Sequence, residues 1–585
     1  MNAAYHPDRP LWVTDNEMGG EHRFWTRANV GEVFPEPPSP LGWDLVVDRG
    51  ILQGWRDCMM NRLGGRPDDL SAERPEMIGI FGGYAYLGAT MIRVWGERTP
   101  GMSAEIVDAA YFGDHPDVPP YVAEPWHSHP EGSETMARWL GWVMTADDLP
   151  ELRQDRDLAA AARRSRPDLA TASDAALMAR ARGFGPDIRR LFDQHIHMSA
   201  AAAIGPGVIG AVCAALGRPS DALDLMAGLG DVDSAEPSYA LWDLSRRVPG
   251  SHPLTAAFDE GPRGLWARLA DSDEPDVRSF LDALDAFLVE FGSRGPNEWE
   301  IQARVWESDP DLVLAAVDRM RLTPDAQLPA SKQAARDEER QRLAVDISAS
   351  LEADPETRAG FEAAVRATAL FVPARERTKT SIIRVVHEVR MAVAELGRRA
   401  GQASPGVLEA ASDICYLWDA ELEDFLTDPP SFADTIAARR AHHAELMERD
   451  PPFIIHEAVP PPDAWPRRDR SAVDVLGPGD SITGAPGCPG MAQGRARVVF
   501  DPGDPRVLEP GDVLVAPFTD PAWTPLFVAA AAVVVDVGAT LSHAVIVSRE
   551  LGIPCVVSAT AATRRIPDGA EVEVDGARGT VTVLS

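Results

Sequence analysis

The sequence predicts a multidomain protein, a mainly α-helical body followed by a small α/β domain. Three observations carry this: helical spacing of apolar residues from about 151 to 446, a proline-dense stretch between 450 and 480, and, beyond it, short apolar runs separated by turn residues. The 585 residues allow three or four domains, and 45% hydrophobic with 25% charged residues is ordinary globular composition. Acidic residues outnumber basic ones by 90 to 56, so the net charge of −34 argues against nucleic acid and anionic membrane surfaces as partners. The five cysteines, Cys58, Cys213, Cys415, Cys488 and Cys555, form no CxxC pair. They point to a reducing cytoplasm, without a disulfide framework or structural zinc. Residues Met1 to Pro7 lack a basic region followed by an apolar one, so no signal peptide is expected.

Residues 1–150 are rich in Pro, Gly and Trp and weakly periodic, and read as loops and short helices packed on the helical part, 151–450. The uncharged run from Met198 to Gly217, broken by Gly205-Pro206-Gly207, reads as a buried core helix with a turn and not as a membrane span. Trp126-His127-Ser128-His129 and His195-Ile196-His197 each offer histidines at i, i+2. Neither has a third ligand in a usual pattern, so no metal site is assigned.

Between 451 and 480 fall Pro451-Pro452, Pro460-Pro461-Pro462, Pro466 and Pro478. Such a segment resists helix and favours extended polyproline geometry at ~3.1 Å per residue, a reach on the order of 90 Å if fully stretched. It reads as a linker that lets one domain travel, or as a strap packed on the surface.

The last domain, 481–585, shows apolar runs at Arg497–Phe500, Asp512–Ala516, Ala532–Asp536, Pro554–Ser558, Glu571–Asp575 and Thr580–Leu584, with one strong helical pattern at Leu541–Leu551. An apolar strand runs through Val533–Val535 to Gly538, and Ser542 is placed to cap a helix whose first turn carries His543. Gly552 is placed to end that helix in the left-handed conformation. Unpaired first-turn amides and the positive end of the helix dipole favour negative charge there, which suits a histidine that accepts a phosphoryl group. Neutral imidazole is a competent nucleophile near pH 7; Thr540 and Ser542 can donate to phosphate oxygens, and Arg549 can supply charge.

Gly538-Ala-Thr-Leu-Ser-His543-Ala-Val-Ile-Val-Ser-Arg549 resembles the phosphohistidine signature of the PEP-utilising enzymes, whose swivelling β/β/α domain carries a phosphoryl or pyrophosphoryl group between sites. Gly484-Ala-Pro-Gly-Cys-Pro-Gly490-Met-Ala-Gln-Gly494 looks like that family's opening strand and Gly-rich turn. Phe518-Thr-Asp-Pro-Ala-Trp-Thr-Pro525 looks like its loop before the histidine strand. Leu541, where dikinases and PEP synthases usually carry Thr, makes the signature similar to the rifampin phosphotransferase branch.

Three further patches are similar to the antibiotic-binding domain of that branch: Asn29-Val-Gly-Glu32-Val-Phe-Pro35 with Ser39-Pro-Leu-Gly-Trp43, Arg375-Glu376-Arg-Thr-Lys379, and Phe291-Gly-Ser-Arg294-Gly-Pro-Asn-Glu298. The resemblance implies acceptor-binding roles for Asn29, Glu32 and Glu298, and phosphoryl-transfer roles for Arg375, Glu376, Lys379 and Arg294. Ser293 stands where the family usually has His, and Arg304-Val305-Trp306 replaces Pro-Arg-Trp, which puts rifampin itself in doubt as substrate. Independently, Ile382, Val386, Val389, Val393 and Leu396 follow 4-3-4-3 spacing, and stepping back by three and four reaches Lys379 and Arg375. Two cations on an inward seam need an anion, which an arriving phosphoryl group can be; the alternative is a helix-end salt bridge at the domain surface. Glu376 is placed to orient Lys379 or to take a proton from an acceptor hydroxyl.

The resemblance implies a phosphotransferase component. Its family places an ATP-grasp domain ahead of these regions, so ATP and Mg²⁺ are expected on a separate ATP-grasp subunit, with no cofactor assigned to this chain. The group would pass from His543 to a hydroxyl of a small hydrophobic acceptor. Two alternatives remain: phosphorylation that drives elimination or carboxylation of the acceptor, and a non-catalytic phosphohistidine carrier or regulatory protein.

Overall fold

The computed structural model describes residues 15–113, 115–230, 232–324, 329–468, 474–502, 508–539 and 542–585, with side chains left aside at 329–332. The chain is multidomain and mainly helical, with a small α/β domain at its C-terminal end.

The N-terminal part holds more than loops and short helices. Strands β1 (Phe24–Thr26), β2 (Ile78–Phe81) and β3 (Tyr84–Gly88) join β4 (Ile454–His456) in an antiparallel sheet of order β2-β3-β1-β4. Its first three strands are buried on both faces, so they show none of the alternation that marks a half-exposed strand. The short helix α1 (Val30–Val33) follows β1 and carries Glu32.

Strand β4 comes from the proline-dense segment. Trp25 pairs with Ile455, Trp465 is buried at 3% exposure, and its indole donates to Pro460 O at 2.9 Å. A Cβ on Gly82 would meet the Trp465 ring at 2.1 Å, so glycine lets the strap lie flat there. Residues 451–468 are therefore fastened to the body by backbone pairing and aromatic burial.

The body is organised by two long helices, α2 (Gly185–Ala215) and, after α3 (Pro329–Ser350), α4 (Pro355–Ala403). α2 runs on through Pro206 where a turn was expected. A Cβ on Gly205 would lie 2.7 Å from Ala364 O and 2.3 Å from Thr368 Oγ1, so this glycine sets the close approach of α2 to α4. The C-terminal half of α2 is half-exposed rather than core. By length and composition the stretch Asp174–Ala215 would suffice to cross a membrane, and a third of its most apolar window is buried. In α4, Ile382, Val386, Val389, Val393 and Leu396 form a fully buried seam. Pro373 lies inside the helix and removes one backbone hydrogen bond two residues before Arg375.

The C-terminal domain is an eight-stranded sheet of order β5-β12-β11-β7-β8-β9-β10-β6. Its strands are β5 (Ser481–Thr483), β6 (Ala485–Cys488), β7 (Met491–Val498), β8 (Val513–Ala516), β9 (Ala532–Val535), β10 (Cys555–Val557), β11 (Glu571–Asp575) and β12 (Thr580–Val583). β7 through β10 are parallel neighbours, and β8 to β10 are fully buried, as a sheet covered on both faces requires. Pro486 is tolerated because β6 is an edge strand. Helices α5 (Thr524–Ala529) and α6 (His543–Leu551) cover one face, and their core continues into Trp242, Phe280, Trp306 and Val313 of the body. The small domain is thus docked against the helical one.

Candidate functional site

The site lies in the seam between the two domains, where α6 begins. Ser542 takes the extended conformation of an N-cap (φ −68°, ψ 162°), but its side chain makes no capping bond. Its hydroxyl is buried and has no hydrogen-bond partner among the described residues. Gly552 ends α6 with φ 64°, as the sequence predicts.

His543 opens the helix at 7% exposure. Its Nδ1 lies 3.0 Å from Thr519 Oγ1 and its Nε2 3.1 Å from Thr524 Oγ1, with the edge of Phe527 5.8 Å away between ring centroids. Both nitrogens are therefore held by hydroxyls that precede the histidine strand, one in the loop after β8 and one on the first residue of α5. Burial, then the charges of Lys379, Arg294 and Arg375, push the imidazole well below its ordinary pKa. It is neutral at physiological pH, and its one lone pair, here engaged by a threonine hydroxyl, is the nucleophile once that hydroxyl is displaced.

The cations come from two elements of the body. Helix α4 supplies Arg375 and Lys379 at the end of the buried seam, where both side chains emerge partly exposed at 19% and 16%. The turn 292–300 supplies Arg294, whose Nη1 donates to both oxygens of Glu298 at 3.1 and 3.2 Å and whose Nη2 donates to Thr380 Oγ1 at 2.5 Å. Lys379 Nζ reaches the same carboxylate at 3.1 Å. Burial alone would raise the Glu298 carboxyl; Arg294 and Lys379 reverse this and hold it below its usual range. Gly295 makes the turn possible, since a Cβ there would sit 2.6 Å from Val305 Cα. Arg390 fixes the turn from below by donating to Glu298 O at 2.6 Å and Glu300 O at 3.1 Å.

Three carboxylates span the seam. Asp520 accepts from Asn297 N at 2.9 Å across the seam and from Ala522 N at 3.0 Å within its own domain. Burial, with Glu298 nearby, raises it to about 7. Glu32 is half-buried near Arg375, Lys379 and Ala539 of the other domain; loss of solvent raises it to about 7 as well. Glu550 accepts from Leu229 N at 2.9 Å and Gly230 N at 3.1 Å.

The structure thus brings together His543, Ser542, Arg294, Glu298, Arg375, Lys379 and Glu32. Glu376 is buried at 2% and paired with Arg375 rather than with Lys379, which Glu298 holds instead. Asn29 is exposed, with a left-handed backbone (φ 63°), at the start of α1. Thr540 lies outside the described residues. Arg549 does not face His543. Six residues on, it lies about 120° around the helix, where it donates to Gly487 O at 2.9 Å and approaches Met226 Sδ at 3.9 Å. Its role is to fasten α6 to β6. Sequence reasoning missed Thr519, Asp520 and Thr524, although all three stand in the motif quoted for the preceding loop. It also missed His195, which was weighed only as a metal ligand. Among the described residues no group of three or more His, Cys, Asp and Glu is arranged to hold a metal.

Residues 194–376 match the family model described as rifampicin (rifampin) phosphotransferase fourth domain, and residues 508–579 match the mobile domain of PEP-utilising enzymes. The chain is 32% identical over 378 residues to a rifampicin phosphotransferase of Streptomyces sviceus, covering 63% of this chain and 41% of that protein. It is 30% identical over 389 residues to chondramide synthase cmdD of Chondromyces crocatus, covering 63% of this chain and 10% of that protein. It is 29% identical over 368 residues to the prodigiosin synthesizing transferase PigC of Serratia marcescens, covering 61% and 40%. The chain spans under half the length of these relatives.

Proposed function

We propose, for a chain that is rifampicin phosphotransferase-like and carries a PEP-utilising mobile domain, that His543 ferries a phosphoryl group to a hydroxyl bound beside Arg294, Arg375 and Lys379. The observation that carries this reading is the docking of a neutral, doubly hydrogen-bonded His543 against that cation cluster. Loading the imidazole displaces Thr519 or Thr524 from one nitrogen, and the freed hydroxyl, with that of Ser542, becomes a donor to the phosphoryl oxygens.

Transfer to the acceptor is then positioning and charge neutralisation. The transferring group spreads negative charge over its three equatorial oxygens, and the cations and first-turn amides of α6 are in place before the charge develops. The donor in this reading is ATP with Mg²⁺ on an ATP-grasp subunit, which loads His543 when the mobile domain has swung away from the body. The acceptor is a small hydrophobic molecule, and the cytoplasm is the setting. Phosphorylation as an activating step toward elimination or carboxylation is the second reading, favoured by the likeness to a relative named as a synthesizing transferase.

The test uses the full chain with ATP labelled at both the β and the γ phosphate and an ATP-grasp protein encoded beside it. The expected result is an acid-labile label on His543 that disappears in His543→Asn. A chain that never labels with any such partner overturns the donor assignment.

A further inference from the structure

His195 lies on α2 where it faces α4, at 9% exposure. The ring centroids of Phe192 and Trp299 are 5.7 and 6.2 Å from its own, and its Nδ1 is 3.0 Å from Thr378 Oγ1. The Thr378 hydroxyl already donates its one proton to Arg375 O at 2.8 Å. Toward His195 it is therefore an acceptor, so Nδ1 carries the hydrogen and Nε2 carries the lone pair. The Arg375 carbonyl, which also bonds the ring, favours the ring N–H on the same side, and no side-chain bond to Nε2 is found among the described residues.

The charges of Arg375 and Lys379, which lower His543, also lower this second imidazole, and Thr378, its hydrogen-bond partner, lies between them on α4. Burial first, then these two charges, lower it to about 3, so it stays neutral at physiological pH. Two neutral imidazoles thus feel one pair of cations: His543 on the C-terminal domain and His195 on the body.

We propose that Nε2 of His195 receives the hydrogen bond, and then the proton, of the acceptor hydroxyl as the phosphoryl group transfers. The proposal rests on the carrier reading of His543. In the step, the acceptor O–H bond breaks and its proton passes to Nε2. A new O–P bond forms, and the N–P bond at His543 breaks with its electron pair returning to the imidazole. A weak base suffices because the hydroxyl loses little proton until late in a loose phosphoryl transfer. The incoming phosphoryl charge also offsets Arg375 and Lys379, which raises the basicity of Nε2 when it is needed. Glu376 is the poorer candidate, since it is sealed at 2% exposure and bound to Arg375. Glu32 lies within reach of the Arg375 and Lys379 charges, which stabilise its ionised form and weaken it as a base.

Water serves as the hydroxyl probe. The full chain is charged on His543 with labelled phosphoramidate, which needs no protein donor, and release of phosphate is followed in a single turnover at pH 7.5. His195→Ala is expected to slow release on the order of 10²-fold and to bring the solvent deuterium isotope effect toward unity, with charging of His543 unchanged. Thr378→Val slows release less, and Thr378→Ser regains most of what Thr378→Val loses. Equal release from native chain and His195→Ala overturns the proposal, as does a loss confined to Glu32→Gln. Failure of the native chain to charge at His543 instead overturns the carrier reading, and this proposal with it.

Discussion

Glu298 shows how one buried residue holds the candidate site together. At 1% exposure its carboxylate is the shared partner of Arg294 and Lys379. Glu298→Gln leaves two cations in low dielectric with a weaker partner, so it is expected to destabilise the chain by about 3–5 kcal/mol in urea unfolding, whereas Lys379→Met costs less because that side chain reaches solvent. His543, Arg375 and Lys379 were legible in the sequence. A histidine after a capping-type serine and two cations in register with an apolar seam are local patterns, and the resemblance of their motifs to a known family is what singled them out from structural residues. The pairing of Lys379 with Glu298 was not legible, because it joins a helix to a turn 81 residues away. Arg549 misled because its sequence distance from His543 was weighed without its angle around the helix.

Among the elements, α4 was the most readable, since its 4-3-4-3 seam lies at 0–1% exposure as the spacing requires. The turn expected at Gly205-Pro206-Gly207 was not formed, because tertiary packing overrides a proline's preference when the neighbouring helix comes close enough. Gly205→Val is therefore expected to force α2 off Ala364 and Thr368 and to cost about 1–3 kcal/mol, seen as a lower urea midpoint with an unchanged slope. The runs at β8 to β12 were found within two residues, since buried parallel strands and a hairpin of alternating burial leave compact apolar signatures. The N-terminal sheet was missed. Its strands are only three to five residues long, and β4 pairs with β1 across more than 420 residues of chain.

For the whole molecule, the central feature is a C-terminal-domain histidine beside body cations, with Glu550 and Asp520 accepting from backbone amides across the seam and Glu32 near it. Two of these, Glu32 and Asp520, are raised to about 7 when docked, mainly by burial. Glu32 faces Arg375 and Lys379, and Asp520 faces Glu298 and Lys379. Both are ordinary carboxylates once undocked, so docking is fully favoured below pH ~4 and weakens as pH rises through about 7. His543, depressed in the docked state, acts in the opposite sense, but only below its ordinary value of ~6.5. Between pH 6.5 and 8 the carboxylates decide, and small-angle scattering is expected to show a more open chain at pH 8 than at pH 6.5. The Glu32→Gln, Asp520→Asn double variant should flatten that change, and a native profile that is already flat would sink the linkage. The account as a whole stands on delivery from His543 into the cation cluster, and a pulse-chase tests that most directly. The full chain and its Lys379→Ala variant are charged with labelled phosphoramidate, the label is mapped, and its loss is timed. The account predicts one acid-labile label on His543 in both, retained at least about tenfold longer by the variant. Label absent from His543, or lost equally fast from both, would contradict it.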